Sequence, residues 1–510
     1  MSGLPYITVQ EERGYVAMPA DLDRLAVVIG CASTAVGLSP FYLSGASAIA
    51  GEGYGDAVDA LCQIIEQSQP GGGVPKIPAA LYTCTGTTVE SHGTIDVTGV
   101  HGTSVASVAS STAPYGTYGA WVKIVAGGTV GTTGITYQDS LDDGRTPSQI
   151  KSLGTATSIT IPNSGITFDF THASSETLLA GDIVRVSTKA PAPVAVDIDA
   201  AFAALAAASI DFTLVICEFP LTAALASHVT SGLNALEARG KLVTALCRTE
   251  IPTSGQSDAA WNASISTEFA SVTDSRINLC ATYGHLTDAM TTRKYMRSDL
   301  AQWAADVARV ERRVFPCFPA DRPMANVLLV DTSTGATIGH DEGPGGTSTG
   351  LSNDSIGNRF TCRHRWPQAS RREEVYSTVP WVLYASDERI RNLPTRRIAN
   401  AMKRVAMAAG TVDIGADVFY YPANPSDPTS SAQLAPTTRN AIQAKIFSAL
   451  SSEFKNDITN WSDNSIETGL VQVASNCTVS GGNLLSVSVT LAPVMKGYLF
   501  TINFKLTIKQ

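Results

Sequence analysis

Hydrophobic positions along the chain keep two different periods. Between residues 192 and 331, short continuous apolar runs alternate with segments whose apolar residues recur every three or four positions. Continuous runs of this length read as strands buried on both faces, and the wider spacing reads as helix. "FTLVICEF", "KLVTALCR", "RINLCATY" and "NVLLVD" are the strands of the series. "DAAFAALAAAS", "TAALASHVTSGLNALEARG", "DAAWNASISTEFASV" and "SDLAQWAADVARVERRV" are its helices. Gly240 stops the second helix, and Leu300, Trp303, Val307 and Val310 form one stripe on the fourth. The same texture opens earlier. "LAVVIGC" at residues 25–31 is a buried strand, a helix starts at Gly55 with Val58, Leu61, Cys62 and Ile65 at helical spacing, and "PAALYTC" is a further strand. Strands alternating with helices predict a mostly parallel sheet covered on both faces.

From about residue 86 to 191 the period changes to two. Short alternating pieces such as "AWVKIVAGG", "SITIPNSGITFDF" and "GDIVRVSTK" are separated by Gly, Pro and Asn, the signature of a β-sandwich or barrel-like domain. It interrupts the strand–helix series and so reads as an insertion. Residues 338–378 read as loop, followed by one more strand in "PWVLYAS". "TRRIANAMKRVAMAAG" predicts a basic amphipathic helix with Ile398, Met402 and Val405 inward and Arg397 and Arg404 outward. A second helix carries Ile442, Ile446, Leu450 and Phe454 on one stripe. The first 20 residues show no helical period; Tyr6 aside, Ile7 and Val9 share a face, as in an extended arm.

The last residues hold the cleanest alternation. Tyr498, Phe500, Ile502, Phe504, Leu506 and Ile508 recur at every second position, and from Phe500 onward the residues between them are polar. This predicts a long, half-buried strand. Such a strand either pairs with its own sheet or completes a sheet in another copy, and each backbone hydrogen bond adds about 1 kcal/mol net. The expected fold class is therefore α/β plus β, in several domains. An α/β core with a parallel-type sheet carries an inserted β-sandwich or barrel-like domain and extended strand arms at both termini. The expected boundaries are 1–20 for the first arm, 21–85 for the first part of the core, 86–191 for the insertion, 192–390 for the α/β domain, 391–497 for a C-terminal domain and 498–510 for the last strand.

Composition adds modest constraints. The chain has 44% hydrophobic and 16% charged residues, which excludes broad disorder. Net charge is −9, but unevenly placed. Residues 1–200 hold 18 Asp and Glu against 8 Lys and Arg, whereas 359–404 hold 11 basic against 4 acidic residues. That polarity favours head-to-tail contact between copies or contact with an acidic partner, the alternative being scattered solvated charge. The nine cysteines include no CxxC and several lie in apolar runs, so they read as buried thiols of a protein folded in a cytoplasm. No signal-peptide pattern is evident at the first residues, and the most apolar region is broken by Asp211, so no membrane insertion is expected.

Several motifs resemble the signatures of known chemistries. "GVHGTSVASVAS" at 99–110 compresses the His-Gly-Thr and Gly-Thr-Ser-x-Ala signatures of subtilisin-like proteases into one segment. His101 and Ser104 are too close for a triad, whose members come from separate segments, and Asp96 is only five residues upstream. The segment reads instead as a Gly-Thr turn leading into a strand. No HExxH occurs among the seven histidines, and "GHDEG" places His340, Asp341 and Glu342 on diverging neighbours. "GEGYGDA" misplaces the third glycine of a dinucleotide turn, and "GGTVGTTG" lacks the P-loop Lys. Basic residues without interleaved aromatics on an acidic chain argue against nucleic acid. No catalytic residue, metal or cofactor is expected, which leaves assembly as the reading, with a hydrolase on the α/β part and a surface-layer polymer as rivals.

The order of these elements resembles the tail sheath proteins of contractile bacteriophages, nearest to the Mu-like long-tailed phages. "GLPYITVQEERG" is similar to the sheath N-terminal arm, and "LAVVIGCAS" with "GYGDAVDALCQIIEQS" to the first sheath strand and helix. "RRIANAMKRVA", "RNAIQAKIFSAL" and the final "MKGYLFTINFKLTIKQ" follow in sheath-like order, while residues 86–191 match least. The resemblance implies a virion component, assembled in the host bacterial cytoplasm. Copies would stack as six-membered rings around a tail tube and contract to drive that tube through the host envelope. It implies as partners further copies of itself, the tail tube protein, and the baseplate and tail terminator proteins. Tyr6, Ile7, Val9, Tyr498, Phe500, Ile502, Phe504, Leu506 and Ile508 would form intersubunit strands. Charge placement puts Arg396, Arg397, Lys403 and Arg404 on the tube-facing surface.

Overall fold

The computed structural model describes residues 25–33, 37–40, 53–67, 80–84, 91–109, 113–173, 175–253, 256–287, 294–310, 359–366, 374–377, 380–383, 392–411, 420–424, 427–434, 436–454, 470–473, 478–479, 484–491 and 500–507. It is a mixed α/β structure with several sheets and, among the described residues, seven helices. Two compact units divide the chain: Arg24–Arg397 forms one, and Met1–Asp23 with Ile398–Gln510 the other.

The first unit is built on a seven-stranded sheet. Its order runs Gly37–Pro40, Ala80–Cys84, Ala26–Cys31, Leu214–Pro220, Thr244–Arg248, Ile277–Cys280, Phe360–Thr361. All neighbours pair parallel except Gly37–Pro40, which runs antiparallel at one edge. The central strands are mainly apolar because both faces are covered. Val27, Ile29, Val215, Cys217, Ala245 and Cys247 face one core, packed with residues of helices α2 (Ala195–Ala207), α3 (Ala223–Ala238) and α4 (Asp258–Glu268). Their strand neighbours Ala26, Val28, Leu214, Ile216 and Leu246 face the opposite core, with α1 (Asp56–Gln67) and α5 (Leu300–Arg309). Both predicted stripes are inside: Val58, Leu61, Cys62 and Ile65 on α1, and Leu300, Trp303, Val307 and Val310 on α5 and its end. The buried Trp303 indole donates to Asn278 Oδ1 at 2.7 Å, and Asn278 Nδ2 donates to Thr361 Oγ1 at 2.7 Å. That chain of bonds ties helix to sheet across the core.

The insertion leaves the sheet after Ala80–Cys84 and returns at α2. Its buried apolar residues form a cluster of their own. Strands Gly119–Ala126 and Ile183–Lys189 pair antiparallel within a six-stranded sheet. Ser158–Ile161, Ile166–Phe170 and Ala106–Val108 form a three-stranded one. Ala120, Val122, Ile124, Val184 and Val186 from the first meet Ile159, Ile161, Ile166, Phe168 and Phe170 from the second. Tyr295, from the α/β part of the chain, joins this core and meets the Tyr118 ring edge-on at 4.9 Å.

In the second unit, helix α7 (Pro436–Glu453) and the residue after it bury Ile442, Ile446, Leu450 and Phe454, the predicted stripe. Two three-stranded antiparallel sheets accompany it.

Four expectations need correction. Phe360–Thr361 is a sheet strand, and Arg363–Trp366 pairs with Glu374–Ser377, inside a region read as loop. The outermost parallel strand is only two residues long, too short to carry a period. The described part of "PWVLYAS", residues 380–383, makes isolated bridges, from Trp381 to Asn392 and Leu383 to Asp274. Helix α2 starts a turn earlier than its apolar pattern, at Ala195, because the Asp197 carboxylate accepts the Val194 N–H at 2.9 Å and caps the earlier turn. On α6 (Leu393–Thr411) Ile398 and Met402 are buried as expected, but Arg397 points inward. "NVLLVD" lies outside the described residues.

Candidate functional site

The strand Phe500–Thr507 pairs antiparallel with Leu484–Leu491 over eight residues. The register places Phe500 opposite Leu491, Ile502 opposite Val489, Phe504 opposite Val487 and Leu506 opposite Leu485. Period two keeps these apolar positions on one face. The sheet order is Leu470–Val473, Leu484–Leu491, Phe500–Thr507, so the last strand is an edge. Among the described residues no strand pairs with its other side. The predicted strand residues Tyr6, Ile7, Val9, Tyr498 and Ile508 lie outside the described residues.

The four basic residues assigned to one surface divide in two. Arg397 is buried and donates from Nη1 to the Val307 carbonyl at 3.2 Å and from Nη2 to the Val310 carbonyl at 3.4 Å. It therefore caps the end of α5, where backbone carbonyls lack helical partners. Arg396 is half-buried and donates to Ser275 Oγ at 3.0 Å. Burial, and after it the nearby Arg276 charge, pulls its guanidinium down to about 10. Lys403 and Arg404 are half-buried on α6. The basic stretch also turns inward at Arg359, which donates to the Phe269 and Ala270 carbonyls at the end of α4. Five fixed donors make a guanidinium a good cap for carbonyls, so clustered arginines do not by themselves mark a charged face.

The protease-like segment is a structural turn. Asp182, buried, accepts the His101 N–H at 2.8 Å, the Gly102 N–H at 3.2 Å and the Leu179 N–H at 2.8 Å. A Cβ on Gly102 would lie 2.1 Å from the Thr177 carbonyl oxygen, so only glycine fits. Ser104 is buried and its Oγ donates to the Thr171 carbonyl at 2.8 Å. Asp96 accepts from the Thr98 N–H and hydroxyl. His101 and Ser104 share no bond, and the strand that follows is Ala106–Val108.

A constellation that sequence reasoning missed sits at the carboxyl ends of the parallel strands. The Ala26–Cys31 strand has Ala80–Cys84 on one side and Leu214–Pro220 on the other, so chain order reverses there. Open α/β sheets form a crevice at such a switch point. Gly30 allows close approach: a Cβ on it would lie 2.8 Å from Ala57 Cβ and 3.0 Å from the Glu218 carbonyl oxygen. In the crevice Arg248 places Nε 3.0 Å from Glu218 Oε1 and Nη2 3.1 Å from Asp56 Oδ2. Arg297 pairs with Asp59 on α1. Glu218 is 4% exposed, and its Oε2 accepts no hydrogen bond from the protein. Burial pushes its carboxyl up to about 7, against the pull of Arg248 and Arg297. A cavity of about 250 Å³ opens on this cluster. The sequence signal was faint: one acid closing the apolar "LVICEF" and one base closing "TALCR". Among the described residues no group of three or more His, Cys, Asp and Glu is placed to hold a metal ion. No described helix is long and apolar enough to cross a membrane.

No family model matches the chain, and no curated protein does. Among solved structures it is similar to a chain from the cryo-EM structure of the anti-feeding prophage (AFP) baseplate, 6-fold symmetrised. The TM-score is 0.36 and the identity 12%, over 63% of this chain and 73% of that one.

Proposed function

We propose that this chain is a structural subunit that polymerises, a tail sheath protein of a contractile phage-like particle, and not an enzyme. The observation that carries this reading is the edge strand Phe500–Thr507, long, alternating and paired on one side among the described residues. An unprotected edge of that kind is a template for a strand from another chain, and proteins that stay single usually blunt it. Here Lys505 is the lone charge in eight residues. In the assembled particle the last strand and the first residues of each copy add to sheets in neighbouring copies. The rings are six-membered and stack around a tube, and baseplate and terminator proteins close the two ends. Backbone ladders hold copies together while polar body contacts rearrange during contraction, without a nucleotide at the subunit.

The element order along the chain supports this reading, from the strand and helix at Ala26–Gln67 to the two helices and sheets after residue 392. The turn around His101 supports it too, because its serine and aspartate hold backbone in place. Electron microscopy of the purified chain tests it. Tubular polymers are expected; compact, separate particles in all assembly conditions would sink the reading.

A further inference from the structure

The crevice at the switch point has a chemistry that assembly does not use. One guanidinium, Arg248, stands between two carboxylates, Glu218 and Asp56. The charges acting on Glu218 are Arg248 from the Thr244–Arg248 strand, Arg297 from the Lys294–Arg297 strand, Asp56 from α1 and Asp299 at the start of α5. Asp59, one turn into α1, pairs with Arg297. Carboxylates thus outnumber guanidiniums four to two in this cluster. Lys189 and Glu250 add one charge of each sign to the cavity wall. An acidic first turn on α1 also offsets the partial positive charge that would draw an anion to a helix N-terminus.

The remaining lining is apolar. Phe219 is buried, and Leu225, Ile251 and Met296 are half-buried around the same space. A buried carboxylate oxygen that accepts nothing from the protein is costly unless a donor reaches it. At about 250 Å³ the cavity lies just below the usual size of small-molecule sites.

We propose that this cavity is a binding site for a small organic cation, with a primary ammonium donating to Glu218 Oε2 and a short alkyl chain against Phe219, Leu225, Ile251 and Met296. A metal ion would lack its set of ligands among the described residues. An anion would face the excess of carboxylates, and Arg248 is already ion-paired with Glu218 and Asp56, although its Nε makes no hydrogen bond. Because the wall includes Tyr115, Thr117 and Lys189 from the insertion as well as the sheet, an occupant touches both. The proposal is independent of the sheath reading: neither depends on the other.

Isothermal titration of the full chain with n-butylammonium chloride, and separately with sodium butyrate, tests it. Butylammonium is expected to bind and butyrate is not. Glu218→Gln keeps the shape and removes the charge, and is expected to weaken butylammonium at least tenfold. A wild-type measurement at pH 6 and pH 8 needs no variant. Butylammonium stays charged across that range while the Glu218 proton is lost near 7, so affinity is expected to rise about tenfold. Absence of butylammonium binding, equal binding by Glu218→Gln, tighter binding of butyrate, or a pH-independent affinity would each overturn the proposal.

Discussion

Arg248 Nε lies 3.0 Å from Glu218 Oε1, a pair enclosed at the carboxyl end of two adjacent parallel strands. Burial outweighs that attraction, and Glu218 keeps its proton to about 7 instead of the ordinary 4.5. The folded chain thus holds a proton between those values that the unfolded chain releases. Its stabilising contribution is fully present below pH 4.5 and is lost as pH rises through about 7. The loss amounts to about 3 kcal/mol. Glu218→Gln escapes it. Urea unfolding at pH 4.5 and pH 8 is expected to show the variant gaining on the wild type as pH rises. A constant difference would contradict the assignment.

Arg397 holds two carbonyls at the end of α5. Arg397→Ala is expected to cost about 2–3 kcal/mol, because hydrogen bonds to a charged donor are lost and carbonyls are left buried. Thermal unfolding measures this. Reversing the charge at Arg397 would disturb folding before it tested any tube contact, so Lys403 and Arg404 are the informative positions for that contact. An Arg397→Ala variant as stable as the wild type would place the arginine elsewhere.

Trp303 and Asn278 form a buried bond between α5 and the sheet. Trp303→Phe removes the donor and leaves Asn278 Oδ1 without that partner in the core. We expect a loss of about 1–3 kcal/mol from the unsatisfied acceptor, and further loss from the smaller ring. Chemical denaturation reads the sum, and an unchanged midpoint would refute the role of the bond.

Ser104 donates to Thr171 inside the insertion. Ser104→Ala is expected to lower stability by about 1 kcal/mol. Neither the variant nor the wild type is expected to cleave peptide or ester substrates. Hydrolysis by the wild type that disappears in Ser104→Ala would revive the protease-like reading.

These residues also show what a sequence reveals. The stripe Ile442, Ile446, Leu450 and Phe454 was legible because burial along one helix leaves a local period. The same holds for the alternation from Phe500 to Leu506, whose register against Leu484–Leu491 matches apolar to apolar. Phe360–Thr361 was not legible, since two residues define no period. Charge alone suggests a surface for Arg397, whereas its donors serve carbonyls at the end of another helix. Glu218, Arg248 and Asp56 meet only through the fold: Arg248 and Asp56 are 192 positions apart. Nothing local marks Glu218 and Arg248 except a charge near the end of an apolar strand, and Asp56 is one of two acids in the first turn of α1.

The central claim is that copies are joined through the final strand. Sedimentation velocity of the full chain beside a chain lacking residues 498–510 tests it most directly. The full chain is expected to sediment as large polymers and the shortened one as a folded species of about the single-chain mass, 53.5 kDa for the intact protein. Polymers of equal size from both would contradict the account.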